Sequence, residues 1–382
     1  MGCMVCRSCG GEYPLWDRVW RCSCGGLLDL EFEAEFPLDK IGVRGPSMWR
    51  YREAIPIIHD SDIVSFHEGF TSLLRVGLED GTVLVKGDHL FPTGSFKDRG
   101  ASVLISKAKE LRVKRVVEDS SGNAGCSIAA YSARAGIPCE VFVPWDASPI
   151  KLAQISSYGA KLVRVPGSRE DAASAAMEAA GNDYYAGHSW NPFFLHGVKT
   201  FAFEVCEQLG WSSPDSVILP VGNGTLLLGA YIGFRDLLEA GVIHEMPRII
   251  GVQSVNCAPL YEAFKKGSAR IPEVRAGATI AEGIAVAKPP RGSQVMEAVK
   301  ASKGEFIAVE DSEIKESLRE IAEKGFYIEP TSAAAIAGVK KYLEEEAPDE
   351  VIVSTFTGHG LKATDKILEI LGEKTKPERN DF

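Results

Sequence analysis

Three times along the chain a short apolar run ends in a polar turn, and a helical pattern starts close behind it. Residues 82–87 lead to Pro92-Thr93-Gly94-Ser95-Phe96-Lys97, residues 113–118 to Ser120-Ser121-Gly122-Asn123, and residues 217–220 to Gly222-Asn223-Gly224-Thr225. The alternation continues elsewhere, with strand patterns at 139–143, 161–165, 248–253 and 350–356. Helical patterns fall at 148–158, 169–180, 311–324, 332–345 and 364–371. Nearly continuous apolar strands alternating with helices predict an α/β fold of doubly wound parallel sheets, covered by helices on both faces. Ligands in such sheets sit outside the carboxyl ends of the strands, where all three turns lie. The turns are expected to converge.

Each turn has its own chemistry. Lys97 stands at a loop-to-helix junction, where the positive end of a helix disfavours the protonated amine. A neutral amine is what Schiff-base chemistry needs, although most loop lysines are simply solvated charges. In the second turn, Ser120, Ser121, Gly122 and Asn123 combine hydroxyls, backbone N–H groups and an amide. They suit a substrate carboxylate, with Asn123 free to bond a ring hydroxyl, or they are ordinary helix caps. In the third, Gly222, Asn223, Gly224 and Thr225 let backbone N–H groups approach an anion at a helix N-terminus, and a plain tight turn reads the same way. A nucleophilic lysine, a phosphate cradle and a carboxylate cradle together point to pyridoxal phosphate.

Composition narrows the partners. The chain has 382 residues, which suggests two or three domains. Its net charge of −10 argues against nucleic acid, against an anionic membrane, and against a nucleic-acid adaptor. No apolar stretch is long enough to span a bilayer, and Met1-Gly2-Cys3 opens no signal peptide. Five of the nine cysteines are Cys3, Cys6, Cys9, Cys22 and Cys24. Cys6-x-x-Cys9 and Cys22-x-Cys24 flank a strand-like arm and resemble a zinc ribbon over residues 1–34, a unit too small to hold its shape without a metal. The second pair is one residue tighter than the usual spacing, so a filled and a degenerate site both stay open. The other cysteines sit in apolar company and read as reduced core thiols of a cytoplasmic protein.

Phe96-Lys97-Asp98-Arg99-Gly100, the Ser-Ser-Gly-Asn turn, Pro220-Val221-Gly222-Asn223-Gly224 and Thr357-Gly358-His359-Gly360-Leu361-Lys362 resemble the fold-type-II (tryptophan synthase β-like) pyridoxal-phosphate enzymes. Within them the chain is most similar to threonine synthases, from about residue 60 to about 365. Asn191-Pro192-Phe193, Lys199-Thr200 and Glu329-Pro330-x-Ser332-Ala333-Ala334 match as well. The resemblance implies two α/β domains behind the ribbon. The large cofactor-binding domain would span 35–98 and 187–382, and a small mobile domain 99–186. Lys97 would carry the cofactor and shuttle the α-proton, Asn123 would hold its ring oxygen, and Thr357 would face its pyridine nitrogen. Gly222, Asn223, Gly224, Thr225 and Leu226 would hold its phosphate. Ser120, Ser121 and Gly122 would take the substrate carboxylate, and His188 and Ser189 would lie near its distal group. A homodimer is implied too. Asp98 and Arg99 are expected to form a structural pair.

The departures bear on the substrate. Threonine synthases usually have an arginine after the Asn-Pro-Phe segment, and a threonine after the turn asparagine; here Phe194 and Ala124 stand there. The missing arginine fork would grip the phosphate of O-phosphohomoserine, and His188, His196, Lys151 and Lys199 are candidates to replace it. The resemblance implies conversion of O-phosphohomoserine and water to threonine and phosphate. The alternative is β-elimination or β-replacement on threonine, serine or O-phosphoserine, a reading that Thr279-Ile280-Ala281-Glu282-Gly283 also supports.

Overall fold

A computed structural model describes residues 2–79, 81–147, 149–181, 183–274, 277–345 and 350–372, with 149–151 as backbone only. The strands are β1 (Cys3–Cys6), β2 (Glu12–Pro14), β3 (Leu28–Glu31), β4 (Leu73–Leu78), β5 (Gly81–Lys86), β6 (Val116–Glu118) and β7 (Cys139–Pro144). They continue with β8 (Lys161–Val165), β9 (Tyr184–Tyr185), β10 (Ser216–Pro220), β11 (Arg248–Ser254), β12 (Phe306–Val309) and β13 (Ile352–Thr355).

They form a larger sheet, β12-β11-β10-β13-β5-β4, and a smaller one, β8-β7-β6-β9. The smaller sheet is parallel throughout. So is the larger one as far as β5. Every residue of β10 and β13 is buried, as strands covered on both faces should be. The larger sheet departs from the all-parallel expectation at one edge, where β4 pairs antiparallel with β5. Consecutive strands joined by so short a turn can pair no other way. Of the described residues, no helix is long and apolar enough to cross a membrane.

The first unit is a three-stranded antiparallel sheet, β2-β1-β3, in which β2 is the strand-like arm between the cysteine pairs. Arg291, almost wholly buried, fastens this sheet to the rest of the chain. It donates to the Leu28 carbonyl at 2.8 Å and to Asp29 at 2.8 Å, and also to the carbonyls of Ser189 (2.7 Å) and Trp190 (2.9 Å).

A buried ionic cluster sits beneath the lysine loop. Arg99 forks onto Asp88 with two bonds of 2.8 Å and onto Glu204 with bonds of 2.5 and 2.8 Å, and Lys86 meets Glu204 at 2.7 Å. The expected Asp98–Arg99 pair is therefore not formed. Adjacent residues in a helix point in different directions, and Asp98 instead accepts from the Thr93 backbone N–H at 2.8 Å, the Thr93 hydroxyl and Ser127. It braces the loop that delivers Lys97.

Candidate active site

The site lies where the carboxyl ends of β5, β6, β10 and β13 meet. Lys97 is the first residue of the helix Lys97–Glu110. Its loop is stitched to the end of β13. Phe96 N–H donates to the Thr357 carbonyl at 2.9 Å, His359 N–H donates to the Gly94 carbonyl at 2.9 Å, and Lys362 Nζ donates to the Thr93 carbonyl at 2.8 Å. The Lys97 amine comes to rest 3.1 Å from Thr225 Oγ1, with the Phe96 ring 4.5 Å away. Burial lowers its pKa to about 8, against the opposing pull of Glu118 and Glu329.

Thr225 opens the helix Thr225–Glu239, and Leu226 follows it in the first turn. Two glycines make this end an anion cradle. Gly224 has a left-handed φ of +80°, and a Cβ on Gly222 would lie 2.7 Å from the Gly283 carbonyl oxygen. The backbone at Gly283 and Ile284, at the end of the Thr279-Ile280-Ala281-Glu282-Gly283 segment, thus backs the cradle.

Asn123 opens the helix Asn123–Ala135, which has no side-chain N-cap, so the capping alternative for this turn does not apply. Ser120 Oγ accepts from Gly122 N–H at 3.2 Å and braces its own turn, while Ser121 is half-buried. Asn123 Nδ2 donates to Glu329 at 2.9 Å, and Thr357 Oγ1 donates to the other oxygen of that carboxylate at 2.7 Å. Ser332 Oγ lies 3.0 Å from Thr357 Oγ1 and accepts from Thr357 N–H at 2.8 Å. Two turns from different sheets are thus joined through Glu329, to which the sequence reading gave no role.

His188 is buried, with Nε2 3.3 Å from Asn223 Nδ2. If that amide donates, the ring proton is on Nδ1 and faces Glu118 Oε1 at 3.5 Å. Burial and the nearby Lys97 push its pKa well below the ordinary histidine value, so the ring is neutral. Burial and Asp119 push Glu118 well above the carboxylate range. Ser189 is buried beside His188, its carbonyl held by Arg291.

Phe194 is fully buried, and its ring leaves no room for a Cβ on Gly100, which would approach within 2.5 Å. His196, two positions further along the helix, points the other way. Lys199 is closed on Asp236 at 2.7 Å. Neither stands in for an arginine in the site, and the side chain of Lys151 lies outside the described residues. Glu118 was missed by the sequence reading, and its signal was an acid closing an otherwise apolar strand.

These residues fit pyridoxal phosphate. An amine stands beside a glycine-built anion cradle, and two polar side chains from separate sheets are available for the ring. The pKa of Lys97 has a kinetic consequence. At pH 7 about a tenth of an amine with a pKa of about 8 is neutral, against a few parts in ten thousand for an ordinary lysine. Capture of the cofactor by the stripped protein should therefore accelerate up to about pH 8 and then level off, as followed by visible absorbance. A rate still climbing near pH 10 would mean that Lys97 titrates as a solvated lysine.

The N-terminal thiols form a second cluster. Cys6, Cys9, Cys22 and Cys24 Sγ all lie within 4.8 Å of one another. Zinc–sulfur bonds of about 2.3 Å in a tetrahedron place sulfurs about 3.8 Å apart, so the cluster has the right size for one ion.

The family model described as pyridoxal-phosphate dependent enzyme matches residues 64–358. Threonine synthase of Methanocaldococcus jannaschii is 40% identical over 390 residues, covering 98% of this chain and 96% of that protein. Threonine synthase of Methanosarcina acetivorans is 32% identical, covering 99% and 96%. Among solved structures, a fungal L-serine ammonia-lyase from Rhizomucor miehei shares the fold with a TM-score of 0.69, at 21% identity over 79% of this chain and 98% of that one.

Proposed function

The chain belongs to the pyridoxal-phosphate dependent enzymes, and on that premise we propose that it is a threonine synthase, forming threonine and phosphate from O-phosphohomoserine and water. The observation that carries this is identity of 40% to a threonine synthase over nearly the whole of both chains, ribbon included. The test is phosphate release from O-phosphohomoserine, with threonine appearing in equal amount.

Bound at the site, pyridoxal phosphate supplies an electron sink for breaking bonds at the carbons of the amino acid. Lys97 would carry it and move the substrate's α-proton, its amine already partly neutral near pH 7. Gly222, Asn223, Gly224, Thr225 and Leu226 would hold its phosphate. Asn123 would hold its ring oxygen, and Thr357, steadied by Ser332 and Glu329, would face its ring nitrogen. A hydroxyl there leaves the nitrogen unprotonated more readily than a carboxylate would. Ser120, Ser121 and Gly122 would receive the substrate carboxylate, and His188 and Ser189 would border its distal group. The unit at 99–186, which contains the smaller sheet, would close over the substrate. A second reading draws on Phe194, which offers the site a packed ring in place of a charge. It is elimination from a hydroxy amino acid, with a keto acid as product.

We infer further that Cys6, Cys9, Cys22 and Cys24 hold a structural zinc, that the protein is cytoplasmic, and that it forms a homodimer. Cys126, Cys139 and Cys206 are buried thiols in apolar surroundings, as in proteins of a reducing compartment. About one equivalent of zinc per chain is expected in the purified protein by elemental analysis, with most of it lost from the Cys9→Ser/Cys24→Ser variant. Chelation should lower the thermal midpoint, because a metal-bound unit this small folds with its ion. A metal-free protein whose midpoint ignores chelator would show that packing alone holds the ribbon.

A further inference from the structure

On that reading the cradle at Gly222–Thr225 and the Lys97 amine serve the cofactor, and the phosphate of the substrate needs a cation of its own. The nearby lysines are engaged: Lys199 with Asp236, Lys86 with Glu204, and Lys362 with the Thr93 carbonyl and Gln154. Yet one wall of the site is visibly incomplete. Glu118 is fully buried with neither carboxylate oxygen hydrogen-bonded among the described residues, and the buried His188 Nδ1 faces it at 3.5 Å without a hydrogen bond of its own. Buried polar groups are nearly always satisfied. Two left open side by side mark where part of a ligand belongs.

Arg169 is the arginine whose charge reaches that wall. It opens the helix Arg169–Ala179, which follows β8 and leads to β9, so its N-terminus lies at the carboxyl end of the smaller sheet. Ala172 and Ala176 are fully buried, Ala176 in one cluster with Val117 of β6 and Tyr185 of β9. Arg169 lies three and seven residues before them and shares their face of the helix. Side chains lean towards a helix's N-terminus, which carries the guanidinium towards the end of β6, which Glu118 closes and Asp119 follows. Its positive charge is felt at Lys97, Glu118, Asp119 and His188 alike. Arg169 is exposed and has no hydrogen bond or ion pair among the described residues.

We propose that Arg169 binds the phosphate of the substrate, with Glu118 and His188 forming the polar wall of the same pocket. This rests on the reading of the chain as an enzyme acting on O-phosphohomoserine. A planar guanidinium takes a phosphate through two parallel N–H···O bonds. Arg169 therefore supplies the charge that Phe194 lacks, from another element of the fold.

The experiment compares the cofactor-loaded full-length protein with its Arg169→Ala and Arg169→Lys variants. Two quantities are read: KM and kcat for O-phosphohomoserine, and affinity for inorganic phosphate by calorimetry. In Arg169→Ala, KM and the phosphate Kd should both rise roughly 10- to 100-fold, with a smaller change in kcat and partial recovery in Arg169→Lys. The side chain is exposed and the Ser168–Asp171 capping box is untouched, so cofactor absorbance and thermal midpoint should hold. Unchanged KM and unchanged phosphate affinity in Arg169→Ala would overturn the proposal. A parent protein that does not turn over O-phosphohomoserine would sink the reaction assignment instead. Phosphate affinity then decides alone: weakening in Arg169→Ala upholds the anion site, and equal affinity removes it.

Discussion

Replacing Lys97 with alanine should reduce turnover by roughly 10⁴-fold or more, since it removes both the covalent attachment and the proton carrier. The visible absorbance of lysine-bound cofactor should vanish, while the thermal midpoint of the stripped protein moves little. Lys97→Arg separates charge from nucleophilicity. It keeps a cation beside Thr225, where the lysine amine sits at 3.1 Å, yet should be as inactive as the alanine variant. Substantial activity in Lys97→Arg would mean that this position contributes charge alone and that another group does the chemistry.

The second large effect concerns stability. Arg99→Met should cost about 3–5 kcal/mol, the usual penalty for removing one member of a buried ion cluster. Glu204, fully buried, would keep the Lys86 ion pair, and Asp88, also fully buried, would keep the Thr71 hydroxyl but lose its guanidinium. The pH dependence carries the diagnosis. Burial by itself would raise the Glu204 carboxyl, but Arg99 and Lys86 hold it down at about 2. A carboxyl depressed in the folded state contributes stability above its unfolded pKa of about 4.3, and that contribution fades as pH falls towards the folded value. Without Arg99 the carboxyl rises, and the folded state binds protons more readily. The gap in urea midpoint between parent and variant should therefore be wide at pH 8 and narrow as pH falls through about 5. A gap independent of pH would point to lost packing as the cause. Because Arg99 lies two residues after Lys97, the variant should also lose cofactor affinity.

Much of this architecture was legible in sequence because buried parallel strands are short apolar runs bounded by turns. The strand Lys161–Val165 and the helix Thr364–Leu371 fall where the pattern places them. The start of the lysine helix carries no capping signal in the sequence, because its N-cap is Phe96, which makes no side-chain cap bond. β9 has two residues and could not stand out from its surroundings. The three turns were found by local chemistry, and the structure brings them together. What joins them was not legible. Glu329 links Asn123 to Thr357 across 206 and 28 residues of chain, and no periodicity reports contacts of that kind. Proximity in sequence misled in the other direction at Asp98 and Arg99, neighbours that face different partners. His196 and Lys199 look like anion ligands by residue type alone, but both are buried away from the site, Lys199 on Asp236. Arg169 drew no notice as one arginine in an alanine-rich helix, and only the crossover from β8 to β9 gives it a direction.

The most direct measurement offers the cofactor-loaded protein O-phosphohomoserine, threonine and serine in parallel and follows phosphate, threonine and keto acid together. Phosphate and threonine rising in equal amounts from O-phosphohomoserine, with little keto acid from the hydroxy amino acids, is the expected result. Keto acid from threonine or serine, with no phosphate released from O-phosphohomoserine, would contradict it and identify an eliminating enzyme whose site Phe194 has reshaped.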